Sequence, residues 1–187
     1  MLYSDGMDRA ISSVSVRIAA LLTMTGCAGH SHSHSVRPPE VPATLQVPSG
    51  QSPFLEARAS GVQIYQCVSR PDAPGAFGWV FQAPEATLIN HRGRPIGRHY
   101  AGPTWELSDG SRVAGEVVAH DPGPDPTAIP WLLLRAKSAS GTGRLSDTQS
   151  IQRVRTAGGV APSAPCSAAA ERTLVRVPYS ASYVFYR

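Results

Sequence analysis

Residues 99–119, HYAGPTWELSDGSRVAGEVVA, carry the clearest fold signal in the chain. Asp109 and Gly110 are one of the strongest short hairpin signals, because glycine accepts a positive φ at no steric cost. Polar and apolar residues alternate before this turn, and this alternation predicts a strand in which Trp105 and Leu107 face a core. The stretch therefore predicts two antiparallel strands joined by a tight turn.

Similar short segments occur on both sides of this hairpin. They have strand length, are rich in β-branched and aromatic residues, and are separated by Gly, Pro, Asn and Asp. No segment keeps a helical repeat over three or four turns, and PCSAAAER (165–172) could form only a turn or two. The pattern predicts an all-β domain, an antiparallel sandwich or barrel of about nine short strands. The strands are expected at 62–68, 78–82, 86–89, 104–107, 112–119, 131–136, 151–156, 173–177 and 182–186.

The N-terminal residues predict export. The stretch MDRAISSVSVRIAALLTMTGC (7–27) places Arg9 and Arg17 before a short apolar run, and small residues before Cys27. A basic flank, a short apolar core and small residues at a cleavage point are typical of a secretory signal. The apolar run is much shorter than the ~20 residues that span a bilayer. Residues 1–26 are therefore predicted to be a signal peptide, with Met1 and Met7 as the two candidate start residues.

The residues around the first cysteine favour a lipid anchor. MTGCAG resembles the lipobox of bacterial lipoproteins, in which the cysteine is lipidated and becomes the first residue of the mature protein. Met24 stands where the commonest form has leucine. The resemblance implies that Cys27 carries acyl chains and holds the protein at a membrane of the cell envelope. The alternative is an ordinary signal peptide cut near Cys27, which would leave the protein secreted.

Residues 27–44 predict a flexible tether, because they are rich in Ser, His and Pro and poor in large apolar side chains. His30, His32 and His34 alternate there, a composition that can bind transition metals loosely. The alternative is a solvated spacer, because imidazoles on a flexible chain lack the surrounding partners that fix ligand geometry. A single β domain, residues 45–187, follows the tether.

The cysteine count predicts one disulfide. The chain has three cysteines, and lipidation of Cys27 would leave Cys67 and Cys166 in an oxidising compartment, where disulfides persist. The alternative is a pair of buried free thiols. Neither cysteine lies in a C-x-x-C motif, which argues against a redox or zinc site.

Histidines with nearby carboxylates are the candidates for a catalytic or metal site. His99 is followed by Glu106 and Asp109, and His120 is followed directly by another carboxylate. If hairpin pairing set their strands side by side, the two histidines would lie near the same end. They could then supply a general base and a residue that orients it. Together with a carboxylate, they could instead bind a metal ion. The spacing matches no standard ligand signature, and the alternative is that these residues only build a hairpin.

Other function classes have little support. The net charge is only +4 and the arginines are scattered, so no basic arm or aromatic-basic motif predicts nucleic-acid binding. The chain has no G-x-S-x-G elbow, phosphate-binding glycine loop or dinucleotide fingerprint, and we expect no cofactor. The expected partners are the membrane, through the lipid anchor, and an unknown small molecule or protein.

Several blocks of the chain stand out, in this order: GVQIYQC, PEATLIN, IGRHYAGPTWELSDGSRVAGEV, IPWLLLRA, IQRVRTAGGVAP (followed by Cys166) and VPYSASYVFY. They resemble a family of secreted bacterial and fungal proteins that is described as a domain of unknown function. The resemblance covers about residues 41–187 and implies a small exported domain with no established activity. We therefore expect a binding or structural module, with a metal-dependent or hydrolytic enzyme using His99 and His120 as the alternative.

The lipid anchor yields the first prediction. Cys27→Ala should move the protein from the membrane fraction to the soluble fraction, because the sulfur that would carry an acyl chain is gone. Immunoblots of the two fractions after cell lysis measure this, with Ser31→Ala in the tether as the control. Unchanged membrane partitioning of Cys27→Ala would contradict the anchor.

Overall fold

The computed structural model describes Met1 and residues 35–187. The predicted signal peptide beyond Met1, Cys27, and His30, His32 and His34 lie outside the described residues. Within residues 35–187, no helix is long and apolar enough to cross a membrane.

The described chain forms one closed barrel of eight antiparallel strands. Each strand pairs with the next one along the chain, and the last strand pairs with the first. Residues 35–187 have only two short 3-10 turns, Ala43–Leu45 and Ala168–Ala170, as helical structure. The all-β prediction is confirmed. The strands are β1 Pro53–Ser69, β2 Phe77–Ile89, β3 Pro95–Tyr100, β4 Thr104–Leu107, β5 Arg112–Asp121, β6 Trp131–Ser140, β7 Ser150–Gly158 and β8 Leu174–Tyr186.

The eight strands differ in detail from the nine that the pattern indicates. Strands β2 and β8 each join two predicted strands, because each continues through a proline. Pro84 of β2 pairs with β1 on one side but lies outside the β2–β3 pairing, so a missing N–H costs little there. Pro178 of β8 lies one residue beyond the last β7–β8 pair. Strand β3 is short and contains Gly97, so the sequence indicates only its end, at His99 and Tyr100.

The core lies inside the barrel, where alternate side chains of each strand meet. Trp105 is 1 % exposed and packs edge-on against Tyr183 and Phe185, with ring centroids 5.1 and 6.0 Å away. Leu107 is also buried, as the alternation predicts. Edge-to-face pairs of this kind add stabilisation beyond the apolar area that they bury. Trp105 therefore anchors the middle of the barrel.

One end of the barrel is closed by hydrogen bonds between two connections. The Asp109 carboxylate, in the β4–β5 turn, accepts bonds from the backbone N–H of Ser111 and Arg144, both at 2.9 Å. The Ser111 hydroxyl accepts a bond from the N–H of Leu145, whose side chain is fully buried in the core. These bonds hold the β6–β7 connection across the end of the barrel, so Asp109 is part of its structure.

At the other end, a disulfide fastens the β7–β8 connection to β1. Cys67, on β1, is bonded to Cys166 in that connection. The Trp79 indole N–H donates to the carbonyl of Ala164 at 3.1 Å, and the Tyr65 hydroxyl donates to that of Gly159 at 2.6 Å. The connection is therefore tied to two strands, and the disulfide is the one that the sequence predicts.

The N-terminal part of the described chain packs on the outside of the barrel. Leu45 is fully buried, and its carbonyl accepts a bond from the Gln152 side chain at 2.6 Å. The Gln152 amide oxygen in turn accepts a bond from the Tyr186 hydroxyl at 2.5 Å. Leu45 is thus held to β7 and β8.

The hairpin turn yields the second prediction. Gly110 has a φ of +85°, and no atom lies within 4 Å of the position that a Cβ would occupy. Gly110→Val should therefore lower the free energy of unfolding through backbone strain alone, by about 1–2 kcal/mol. Urea denaturation measures it. Ser108→Val is the control, because Ser108 is exposed in the same turn without a positive φ; an equal loss in both variants would contradict the explanation.

Candidate functional site

A cavity of about 230 Å³ lies inside the barrel at the disulfide end. Its floor is formed by buried side chains, including His99, Trp105 and Tyr183, and its rim includes the half-exposed Phe81 and Val117. For comparison, an apolar cavity of about 150 Å³ in another protein binds benzene. The full lining is Gln63, Phe81, Gln82, Pro84, His99, Gly102, Pro103, Trp105, Val117, Leu132, Leu134, Arg153 and Tyr183.

Strand register brings the polar residues of the wall together. Arg153 of β7 pairs with Leu132 of β6 on one side and with Tyr183 of β8 on the other. Paired residues on neighbouring strands point to the same face of a sheet, so all three side chains reach the interior. Ile151, two residues earlier on the same strand, is fully buried in the core. In this part of the wall, Arg153 and Tyr183 therefore place their polar groups beside the apolar side chain of Leu132.

His99 is a neutral ring in this wall. It is 2 % exposed and stacks on Trp105, with ring centroids 4.6 Å apart. Burial lowers its pKa from 6.5 to about 4; the hydrogen bond with the Thr104 carbonyl opposes this and the charge of Arg153 adds to it. Because a carbonyl can only accept, Nδ1 donates this 2.8 Å bond and Nε2 keeps the lone pair.

Most of the buried side-chain donors that lack a partner in the described chain belong to residues that line the cavity. Gln63 Nε2 and Trp105 Nε1 make no hydrogen bond, although both atoms are buried. The hydroxyls of Tyr179 and Tyr183 affect each other's pKa, yet neither makes a well-formed hydrogen bond. A buried donor left unpaired costs about 1–3 kcal/mol. Such groups are rare in native proteins and call for an explanation at each site.

Arg153 supplies the positive charge of the cavity. Its Nε and Nη2 both donate to the Pro130 carbonyl, at 3.0 and 2.8 Å. Burial raises the pKa of Tyr179 and Tyr183, and the charge of Arg153 partly opposes this rise. Among the described residues that line the cavity, no carboxylate accompanies this charge.

The structure separates the residues that the sequence groups together. His99 is buried in the barrel, whereas His120 is exposed near the end of β5 and does not line the cavity. Glu106 is on the outer face, where it accepts bonds from the Tyr100 hydroxyl at 2.7 Å and from Arg98 at 3.0 Å. Strand β4 lies between β3 and β5, so the strands of the two histidines are not adjacent.

The carboxylates of this group are hydrogen-bonded rather than poised for proton transfer. The bonds from Tyr100 and then Arg98 lower the pKa of Glu106. Burial acts to raise the pKa of Asp109, but the hydrogen bonds from Arg144 and Ser111 lower it overall. In the described part of the chain, no group of three or more His, Cys, Asp or Glu side chains could hold a metal ion.

A larger concavity, about 630 Å³, lies on the outside of the barrel, but its charges are paired. Arg98 bonds Glu106, and Arg176 pairs with Glu85 at 2.8 Å. It forms an open groove over β1, β2 and β3. The interior cavity is the better candidate site, because ligand sites are enclosed, mostly apolar and carry a few convergent polar groups.

A match to a protein family covers the same part of the chain as the barrel. A family described as "Protein of unknown function (DUF3455)" matches residues 48–187. The chain belongs to the DUF3455 family. The match begins five residues before β1 and runs through β8, so the family domain contains the whole barrel. No curated protein and no solved structure matches the chain.

Sequence reasoning did not identify most residues of this site in the DUF3455 domain. Arg153 has a usable signal, since it lies two residues after Ile151 in IQRVRT and therefore shares its inward face. A charged residue on the buried face of a strand is unusual. Gln63 and Tyr183 alternate with residues of the outer face, but without the register nothing shows that they meet.

The neutral state of His99 yields the third prediction. Between pH 6.5 and about 4 the unfolded chain binds a proton that the folded protein does not. The free energy of unfolding should therefore decrease as the pH falls through this window, by about 2 kcal/mol between pH 7 and pH 5. His99→Gln should lose this decrease in the free energy of unfolding, whereas His120→Gln, at an exposed position, should keep it. Urea denaturation at both pH values measures it; an unchanged pH dependence in His99→Gln would contradict the assignment.

Proposed function

We propose that the β domain is a binding module that holds a small organic molecule in the barrel cavity. The observation that carries the proposal is the set of unpartnered donors on the cavity residues. Gln63 Nε2 and Trp105 Nε1 are buried without a hydrogen bond in a cavity large enough for a substituted ring. An acceptor group on a bound molecule would satisfy such donors and recover their cost.

The apolar part of the wall favours a ligand that is itself mostly apolar, with a flat or branched shape. Leu132 and Leu134 lie on one side, and the aromatic face of Trp105 lies within the same lining. Phe81 and Val117 are 49 % and 52 % exposed at the rim, so they offer apolar contact at the entrance. Contact with such a wall favours a molecule that is mostly apolar, with its polar group directed inward.

We also propose that this module works outside the cytoplasm, anchored through Cys27. The signal-like N-terminal stretch supports export, and the Cys67–Cys166 disulfide suits an oxidising compartment. A binding module needs no catalytic group. This fits the separation of His99 from His120, since the enzyme alternative requires those residues to act together.

Blocking the entrance yields the fourth prediction. Val117→Trp should abolish binding of small aromatic probes, because the larger ring would fill the rim of the cavity. Val118→Trp is a closely matched control: Val118 is the next residue and is 53 % exposed, but it does not line the cavity. Both positions are exposed, so both variants should fold.

The measurement is a titration with benzyl alcohol and with sodium benzoate, followed by the indole N–H signal of Trp105 in NMR spectra. Trp105→Phe identifies that signal among the three tryptophans of the chain. The probes should shift it in the wild type and in Val118→Trp, but not in Val117→Trp. If neither probe shifts it in the wild type, or if Val117→Trp binds as the wild type does, the binding proposal is wrong.

A further inference from the structure

We propose that the cavity selects an anion, namely a small organic carboxylate whose charged group lies beside Arg153 and Tyr183. This inference rests on the proposed binding function and names the class of ligand. Its basis is a positive charge in the cavity wall that the protein itself does not neutralise.

The first step is that Arg153 lacks the acidic partner that four arginines of the outer surface have. One of these four is Arg155, which bonds Glu56 at 2.7 Å. Arg155 is only two residues away on the same strand, but a register shift between Val154 and Ala157 separates its face from that of Arg153. Arg153 forms no ion pair with any described residue. The other three outer pairs are Arg98–Glu106, Arg135–Glu116 and Arg176–Glu85.

The second step is that the charge is held in place. Two hydrogen bonds to the Pro130 carbonyl fix one edge of the Arg153 guanidinium. A guanidinium is planar and presents five N–H donors, so donors remain for another group. The cross-strand pairing with Tyr183 places a hydroxyl on the same stretch of wall. A planar carboxylate matches this donor geometry and gains charge-assisted hydrogen bonds.

The third step is the absence of compensating negative charge. The titratable groups that feel the charge of Arg153 are Tyr65, His99, Tyr179 and Tyr183. Burial keeps the three phenols protonated, and it keeps the imidazole neutral. No carboxylate is among the described lining residues, so the charge of Arg153 has no acidic counterpart in the cavity wall. A neutral ligand would leave that charge uncompensated, whereas a monoanion would balance it.

The fourth step is size. A cavity of about 230 Å³ that contains one cation suits a single charged group on a compact apolar body. Gln63 Nε2 and Trp105 Nε1 are further donors in the lining. They suit the oxygens of a carboxylate, which accepts hydrogen bonds and donates none when ionised.

The test compares benzoate with benzyl alcohol, a neutral probe of similar shape, at about pH 7, where a carboxylic acid is ionised. NMR titration gives both dissociation constants for the wild type, Arg153→Gln and Arg155→Gln. Glutamine keeps a donor for the Pro130 carbonyl but removes the charge. Arg155→Gln is the control, because it removes a charge that is paired on the outer surface.

The wild type should bind benzoate more tightly than benzyl alcohol. Arg153→Gln should weaken benzoate binding about tenfold or more, as the loss of a charge-assisted pair predicts, and should change benzyl alcohol binding less than about twofold. Arg155→Gln should change neither. Circular dichroism and melting curves establish that each variant is folded.

Two results overturn the inference and leave the binding function in place. One is a wild type that binds benzyl alcohol as tightly as benzoate. The other is a folded Arg153→Gln that still prefers benzoate, in which case Arg153 only supports the Pro130 carbonyl. The wild-type comparison needs no variant, so the inference stays testable even if Arg153→Gln does not fold. If neither probe binds the wild type, the proposed function fails, and the inference fails with it.

Discussion

The pairing of β1 with β8 is the constraint on which the rest of the molecule depends. It runs from Pro53 to Gln66 on one strand and from Leu174 to Tyr186 on the other. Because it joins the first and last strands of an eight-stranded sheet, it closes that sheet into a barrel. It also gives all inward side chains a common interior. An eight-stranded barrel of this kind is just wide enough to be filled by side chains or to hold one small ligand.

The interior of this barrel is filled at one end and open at the other. At the filled end, Leu145 and the hydrogen bonds of Asp109 and Ser111 complete a packed core. At the open end, the interior contains a histidine, tyrosines, a glutamine and an arginine, which a core built only for stability would not include. Acidic side chains, by contrast, pair with arginines on the outer face. This division of charge separates a structural half of the barrel from the half that we propose binds a ligand.

The fold class and several local features could be predicted from the sequence. The alternation of polar and apolar residues around the Asp109–Gly110 turn is enough to place that hairpin and to bury Trp105. The cysteine count, with Cys27 set aside as the predicted lipidation site, leaves Cys67 and Cys166 as the pair. These features depend on neighbouring residues or on a count, so they do not require the register of the whole sheet.

The site could not be predicted because it depends on that register. His99 and His120 belong to strands that β4 separates. A register shift between Val117 and Ala119 also changes which residues at the end of β5 face the interior. Bulges of this kind leave no clear mark in the sequence. Arg153 meets Tyr183 only because β7 and β8 pair, and that pairing belongs to the closed barrel rather than to any local motif.

The position of the disulfide has a consequence for how the chain finds its fold. Seven of the eight strand pairings join consecutive strands, which bring together residues that are near in sequence. The eighth, between β1 and β8, must find its partner across more than a hundred residues, and the entropy of closing so long a loop opposes it. Cys67 lies near the end of β1, and Cys166 lies just before the start of β8. Once these two cysteines are bonded, the end of β1 and the start of β8 are held close together. The β1–β8 pairing, which is the least local pairing of this topology, then forms across a short effective separation.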